Sequence, residues 1–327
     1  MASVVAARPP HLRPAPVIRP VSWWATVDPV SSTTYRTGAP THSEQAGIEA
    51  LIREVRAADG VDPLNENAHF ALRGERPAVH WIAPTPGSPH PRGYAQWDPE
   101  TRSAIIVVDP AHRREGVGRE LLGCIRKVTP APTLWAFGNL PAAQAFATKV
   151  GLTETRRLLI MRRDLREHPA TLSVDNVVPA GVNIDTYQSD DLSALVEVNA
   201  EAFREHPEQG ELTAADFEQR MGQAWFDPEG LLLAHDDDSG RLLGFHWTKV
   251  EPRDDGGEPV GEVYALAVLP DAAGRGIGRA LLAAGVRHLQ DRGVAEVILY
   301  VEASNTRVVD MYRSANFVTL SSDASYS

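Results

Sequence analysis

Cysteine is nearly absent: the 327-residue chain has one, Cys124. A single thiol cannot build a disulfide framework within the chain, so nothing in the sequence points to secretion. Cys124 falls inside an apolar helical pattern and reads as a small buried residue. Long apolar runs are missing too. None approaches the roughly 20 residues that span a bilayer, which excludes a membrane-spanning helix. Positive charge is in deficit, with 32 Lys and Arg against 43 Asp and Glu and a net charge of −11. That argues against a non-specific nucleic-acid binder, but leaves room for a local cationic site around a phosphate ligand.

Hydrophobic residues make up 43% of the chain, and 327 residues fit two domains of about 150 better than one. The first 40 residues carry seven prolines, four arginines, one acidic residue and the pair Trp23–Trp24. No continuous apolar core follows them, so they read as a disordered extension rather than a targeting peptide. Order is expected from Thr41, where "THSE" offers a capping box before a helix with Ile48, Leu51, Ile52 and Val55 on one face and Gly60 at its end. "AVHWIA", "GYAQWD" and "SAIIVVD" read as strands, Gly116–Val128 as a helix, "TLWAF" as a strand, Pro141–Val150 as a helix and "TRRLLIMRRD" as a strand. Residues 165–180 read as a linker.

The second half repeats that order. Asp191–Phe203 is amphipathic. A helix starting at Thr213 puts Phe217, Met221 and Trp225 on one face. "LLLAH" and "RLLGFHWTKV" form a hairpin across "DDDSG". "GEVYALAV", the helix Gly276–Arg292, "EVILYVE", the helix Thr306–Ser314 and a short last strand follow. The expected fold is α+β in two tandem domains, 41–164 and 181–327, each a mixed, mostly antiparallel sheet flanked by helices.

Two glycine loops carry the chemistry. "REGVGRELL" at Arg114–Leu122 returns as "GRGIGRALL" at Gly274–Leu282, 160 positions on, each after an apolar strand and a proline. Glycines between a strand and a helix let backbone N–H groups approach an anion, and the helix N-terminus favours it. Neither loop has the dinucleotide spacing G-x-G-x-x-G or the Lys-Ser/Thr of a nucleotide P-loop. Arg113, Arg114 and Arg119 surround Gly116 and Gly118. Arg275 and Arg279 flank Gly274, Gly276, Ile277 and Gly278.

Arg-x-x-Gly-x-Gly at Arg113–Gly118 resembles the acetyl-CoA signature of GCN5-related N-acetyltransferases. The second copy has Ala273 at the arginine position but keeps both glycines. The resemblance implies that coenzyme A pyrophosphate rests on the loop amides. It implies that the pantetheine arm pairs with Ile106, Val107 and Val108 or with Leu266, Ala267 and Val268. Asn305 and Thr306 join the cofactor set by the same likeness. "HPEQG" (His206–Gly210), "GFHWTK" (Gly244–Lys249), "GEVYALAV" (Gly261–Val268) and "LYVEASN" (Leu299–Asn305) are similar to the mycothiol synthases, a family of tandem acetyltransferases. That family N-acetylates the cysteinyl amine of Cys-GlcN-inositol with acetyl-CoA and needs no metal. The resemblance puts the base at Glu262 and the acid at Tyr312, and implies acceptor contacts from Glu66, Glu208, Lys249, Glu262 and Tyr300. It further implies a cytoplasmic monomer acting on a small-molecule amine, with neither nucleic acid nor membrane as partner. From the residues alone, an acetyltransferase for another small amine, such as an aminoglycoside or polyamine, and a non-enzymatic coenzyme A-responsive module stay open.

Acetyl transfer to an amine needs a base, a donor for the oxyanion and a proton for the leaving thiolate. Aligning the loops puts Arg102 opposite Glu262. Aligning "NLPAAQAF" with "NTRVVDMY" puts Phe146 opposite Tyr312. The first half then lacks both groups and is expected to be catalytically silent. Glu115 sets a carboxylate at the first loop, against an anionic ligand.

Overall fold

The computed structural model describes residues 33–170, 178–204, 207–251 and 257–327. Most of the expected extension, residues 1–32, and the centre of the expected linker, 171–177, lie outside them. Thr34–Arg36, placed in the extension by the sequence, is instead a strand, β1, paired antiparallel with β2, Val79–Ala83. The other strands are β3 Gly93–Asp98, β4 Ser103–Val108, β5 Thr133–Ala136, β6 Glu154–Asp164, β7 Val182–Thr186, β8 Leu231–Asp236, β9 Leu242–Glu251, β10 Val260–Val268, β11 Glu296–Glu302 and β12 Val318–Tyr326. The helices are α1 His42–Asp59, α2 Glu66–Leu72, α3 Val117–Val128, α4 Pro141–Val150, α5 Leu192–Ala202, α6 Pro207–Gly210, α7 Ala214–Met221, α8 Ile277–Asp291 and α9 Thr306–Ser314.

Local chemistry sets these boundaries. Thr41 and Glu44 form the capping box that opens α1, and Gly60 closes it with φ of 73°. Gly116 and Gly276 begin α3 and α8 from the left-handed region, with φ of 93° and 91°. Strand alternation sorts side chains between two layers. In the first half Ile82, Tyr94, Ile105 and Val107 meet Ile48, Leu51 and Val55 of α1. On the other face Trp81, Ala95 and Ala104 meet Val117, Leu121 and Ile125 of α3.

The described strands form one continuous sheet in the order β1-β2-β3-β4-β5-β12-β6-β11-β10-β9-β8-β7. Only the pairs β4–β5 and β10–β11 are parallel. Renumbering each strand by six reads this order backwards into itself, so the two halves are related by a pseudo-two-fold operation. At its centre the halves exchange strands. β12 of the second half lies between β5 and β6 of the first, and β6 lies between β12 and β11. The last strand is therefore not short: it runs nine residues and completes the sheet of the other half. The expected linker is partly packed structure, since Leu165 is buried and its N–H donates to Ala295 O.

Candidate active site

Each half contains a split between parallel strands. β10 and β11 pair from Val260–Glu296 to Val263–Leu299, and the ladder stops there. β4 and β5 pair only at Ser103–Thr133 and Ala104–Leu134. Leu266–Val268 and Ile106–Val108 therefore keep a neighbour on the hairpin side alone, and each segment runs into its glycine loop. In the first half the split opens a cleft of about 610 Å³, lined among others by Ile106, Val108, Gly116, Phe146 and Tyr326. Tyr326 belongs to the exchanged strand and donates to Asn139 Oδ1 at 2.6 Å.

The two loops share a backbone but not its ease. Gly274 and Gly276 take φ of 85° and 91°. Arg114 occupies the position of Gly274 with φ of 69°, a conformation that carries a steric cost for any residue with a Cβ. Arg113, the signature arginine, turns away to α1 and donates to both oxygens of Asp59, at 2.9 and 2.7 Å. Glu115 is held by His112 Nδ1 at 3.0 Å. Around the second loop, Arg275, Arg279 and Gly274 are exposed, and the Arg307 guanidinium lies 3.7 Å from where a Cβ on Gly274 would stand. That contact sets the first turn of α9, with its N-cap Asn305 and Thr306, beside the loop.

Strand register corrects the internal alignment. Val108 pairs with Gly93 as Val268 pairs with Gly244, but β10 carries a bulge between Val263 and Ala265 that β4 lacks. Counting through the bulge, Glu262 (opposite Lys249) corresponds to Ser103 (opposite Asp98), not to Arg102. Arg102 sits in the preceding turn with φ of 54°. Tyr264 is the extra residue of the bulge and has no counterpart in the first half. The helices shift likewise. α4 begins at Pro141 and α9 at Thr306, and their left-handed ends are Gly151 and Asn316. Phe146 therefore matches Met311, and each lies over the equivalent glycine, Phe146 at Gly118 and Met311 at Gly278. The residue opposite Tyr312 is Ala147.

Tyr312 is buried in the apolar cluster on the α8 face, with Val263, Leu299 and Val301, and its ring meets Phe317 edge-on at 5.7 Å. Burial pushes its phenol well above the ordinary tyrosine value, so it stays protonated across the neutral range. Glu262 alternates with Val263 along β10 and so stands on the opposite face. There it neighbours a polar cluster that crosses between the halves. Lys249 Nζ donates to Glu66 Oε1 at 3.0 Å, and Tyr264 OH donates to Glu66 Oε2 at 2.5 Å. The Lys249 ammonium also lies 4.8 Å from the centre of the Trp225 ring and 5.4 Å from that of Tyr264. Burial pushes the Tyr264 phenol well up, with Arg220 opposing and the Glu66 and Glu262 carboxylates reinforcing the rise.

Of the residues expected to hold the acceptor, Glu66, Lys249 and Glu262 thus come together. Tyr300 is exposed on β11, opposite Ile160 of β6. Glu208 lies in α6 with its side chain outside the described residues, and its neighbour Gln209 is tied to Asn199 of α5 by bonds of 2.6 and 3.0 Å. Glu302, the other carboxylate near the split, is paired with Arg156 of β6, whose Nε donates to it at 2.9 Å. Sequence reasoning missed Tyr264, Trp225 and Arg220 as members of the cluster. One signal existed for Arg220: it follows Phe217 by three positions, on the apolar face of α7. Among the described residues, no group of three or more His, Cys, Asp or Glu could hold a metal ion, and no helix is long and apolar enough to cross a membrane.

A split parallel pair with a glycine loop at a helix start, present here twice, and in the second half a bulged strand before the loop define an acetyltransferase of the GCN5-related class. Residues 192–317 match the model of the Acetyltransferase (GNAT) family. Over 85% of its length the chain is 45% identical to the mycothiol acetyltransferase of Propionibacterium freudenreichii subsp. shermanii, covering 87% of that protein. It is 41% identical to that of Rhodococcus jostii, covering 86% of this chain and 94% of the relative. The chain belongs to the mycothiol acetyltransferase family. Among solved structures, a tandem GNAT protein from the clavulanic acid biosynthesis pathway shares the fold at a TM-score of 0.65 and 19% identity, covering 90% of this chain and 97% of that one. A GCN5-related N-acetyltransferase from Sphaerobacter thermophilus aligns at a TM-score of 0.61 and 25% identity, over 90% and 94%.

Proposed function

We propose that this protein transfers the acetyl group of acetyl-CoA to the cysteinyl amine of Cys-GlcN-inositol, the last step to mycothiol, and does so only in its second half. The observation that carries this reading is the carboxylate cluster at the join. Glu66 of the first half stands with Lys249 and Tyr264 beside the strand of Glu262. A small acceptor with an ammonium group, hydroxyls and no phosphate suits such a site.

Acetyl-CoA lies in the split between β10 and β11, its pyrophosphate on the amides of the Gly274–Gly278 loop and its pantetheine along Leu266–Val268. Asn305, Thr306, Arg275 and Arg279 complete that pocket. Glu262 takes the proton of the acceptor ammonium, directly or through a water. The neutral amine attacks the thioester carbonyl, the C–S bond breaks as the amide forms, and Tyr312, still protonated, gives its proton to the departing thiolate. The second proton lost by the amine nitrogen passes through solvent and restores the phenol. The two groups work from opposite faces of the sheet, so neither blocks the other. Glu66, Glu208, Lys249 and Tyr300 bind the rest of the acceptor. One chain supplies all these residues, which supports a monomer, and the acceptor is a cytoplasmic metabolite. The first cleft holds coenzyme A without turning it over, through Ile106–Val108, Arg114, Gly116, Gly118 and Arg119.

Incubation of the purified protein with acetyl-CoA and Cys-GlcN-inositol, read by mass, tests this. A product heavier by one acetyl group on the cysteinyl nitrogen is expected. No product from this acceptor, alongside turnover of an aminoglycoside or polyamine, overturns the reading.

A further inference from the structure

Arg220 is a charged side chain with only 4% of its surface exposed. A buried guanidinium is costly unless its donors are satisfied. Its Nη1 donates to Asp216 O, within its own helix, at 3.0 Å. The other contacts leave the helix. Nε donates to Tyr264 OH at 2.9 Å and lies 3.7 Å from Glu66 Oε2, and Nη2 donates to Asn67 Oδ1 at 2.9 Å. Tyr264 is the bulged residue of β10, two positions after Glu262 and two before Leu266. Asn67 follows Glu66 on α2. One planar fork thus grips the bulge of the second half and the first turn of a helix from the first half.

The hydrogen bonds also run in one direction. Arg220 donates to Tyr264, and Tyr264 passes its own proton donation to Glu66 Oε2, while Lys249 donates to Oε1. Each Glu66 oxygen receives one bond, and a carboxylate has about four acceptor sites, so capacity is left for a ligand. Lysine in place of Arg220 could supply the charge, but not two parallel donors in a rigid plane. A second clamp crosses the same join: Arg76, four residues after α2, pairs with Asp216 of α7 and with Glu100 of the turn between β3 and β4.

We propose that Arg220, acting through Tyr264 and Asn67, is the positioning residue that sets Glu66 of the first half into the amine-binding site of the second. The proposal rests on the reading of Glu66 as an acceptor ligand. It explains why the catalytic half requires a silent partner: α2 is fixed from across the join.

The test is a double-mutant cycle on the whole protein, with Arg220→Gln and Glu66→Gln alone and combined, beside Arg220→Lys and Tyr264→Phe. The KM for Cys-GlcN-inositol, kcat and the acetyl-CoA dissociation constant are measured for each. Arg220→Gln should raise the acceptor KM about 10- to 100-fold, the scale of a hydrogen bond to a charged group, with the acetyl-CoA constant held within about twofold. Tyr264→Phe, which removes only a hydroxyl, should raise it about 3- to 10-fold. Arg220→Lys should fall between these two. In the Glu66→Gln background, Arg220→Gln should add less than about threefold. Full additivity, or acetyl-CoA affinity falling in step with the acceptor KM, overturns the proposal. If Arg220→Gln does not fold, the lysine and Tyr264 variants carry the same comparison. Thermal unfolding of the four cycle proteins reads the coupling without any acceptor, and additive shifts there also overturn it. Wild type that fails to acetylate Cys-GlcN-inositol counts against the acceptor reading, and the unfolding cycle still decides whether Arg220 and Glu66 act together.

Discussion

Ala147 stands in the first half where Tyr312 stands in the second. Each is the seventh residue of its helix, and each is 5% exposed. A methyl group has no proton to give, so Ala147 cannot take in the first cleft the part proposed for Tyr312 in the second. Tyr312→Phe keeps the ring against Phe317 and removes only the hydroxyl. Turnover should fall, while the acetyl-CoA dissociation constant should move by less than about 1 kcal/mol, the scale of one net hydrogen bond. Steady-state rates and calorimetry on the same preparation separate the two. Unchanged turnover would show that the thiolate leaves unaided or takes its proton elsewhere.

Glu262→Gln should lower the rate about 10²–10⁴-fold, the usual contribution of a positioned base, with acetyl-CoA binding intact. The deficit should be largest below about pH 7.7–8.0, where a cysteinyl α-amine is still protonated. A rate profile from pH 6 to 9 checks this. Glu302 is a poor substitute because Arg156 already holds it. A profile parallel to wild type at every pH would remove Glu262 from the proton transfer.

The two loops permit a comparison at matched strain. Gly116 and Gly276 both sit near φ of 90° and both open a helix, so aspartate costs each about the same in backbone energy. Beyond that shared cost, Gly276→Asp puts a carboxylate on the loop proposed to hold the pyrophosphate of the reacting cofactor. It should abolish turnover, and Gly116→Asp should spare most of it. Equal losses in two folded variants would mean that the first cleft takes part in the reaction.

Much of the fold was legible because its punctuation is local. Thr41, Gly60 and Pro141 set helix ends by caps and fixed dihedrals, and strand alternation gave the faces. The strand exchange was not legible. The alternation of β6 and β12 gives faces but names no neighbour, and the exchange is seen only in the strand order. The internal alignment slipped by one residue at two places, and in the strand the reason is physical. A bulge at Tyr264 adds a residue to one strand without changing its alternation of buried and half-buried positions. Glu66 rested on a weak match, because its helix, α2, is only seven residues and gave no periodic signal. Arg220 and Tyr264 were invisible as a pair because their contact spans 44 positions.

Two buried histidines make stability depend on pH. Burial holds His80 and His246 at about 4, with Glu44 pulling His80 the other way and the Leu281 carbonyl doing the same for His246. In the unfolded chain both return to about 6.5. Above that value each is neutral in both states, and its contribution is fully present. Between about 6.5 and 4 the unfolded chain binds more protons, so stability falls as pH falls. Thermal melts from pH 7 to pH 4.5 should show that decline, and His80→Gln should make it shallower. An unchanged slope would assign the acid sensitivity to carboxylates such as Asp62 and Asp216, which ion pairs and hydrogen bonds hold below their usual range.

Two helical glycines should respond to alanine with opposite signs. In an exposed helix interior the change normally stabilises by about 0.5–1 kcal/mol, because glycine loses more backbone freedom on folding. Gly123 of α3 meets that condition: it is exposed, and a Cβ there would touch nothing within 4 Å. Gly285 of α8 does not. A Cβ there would lie 2.1 Å from His246 Cε1 and Nδ1. The imidazole cannot step aside, since it is fully buried and its Nδ1 is held to Leu281 O at 2.8 Å. Overpacking of this kind costs about 1–3 kcal/mol, more than the helix propensity returns. Denaturant midpoints should therefore rise for Gly123→Ala and fall for Gly285→Ala. A rise for both would mean that His246 has a second resting place, and that β9 and α8 pack less tightly than their contact implies.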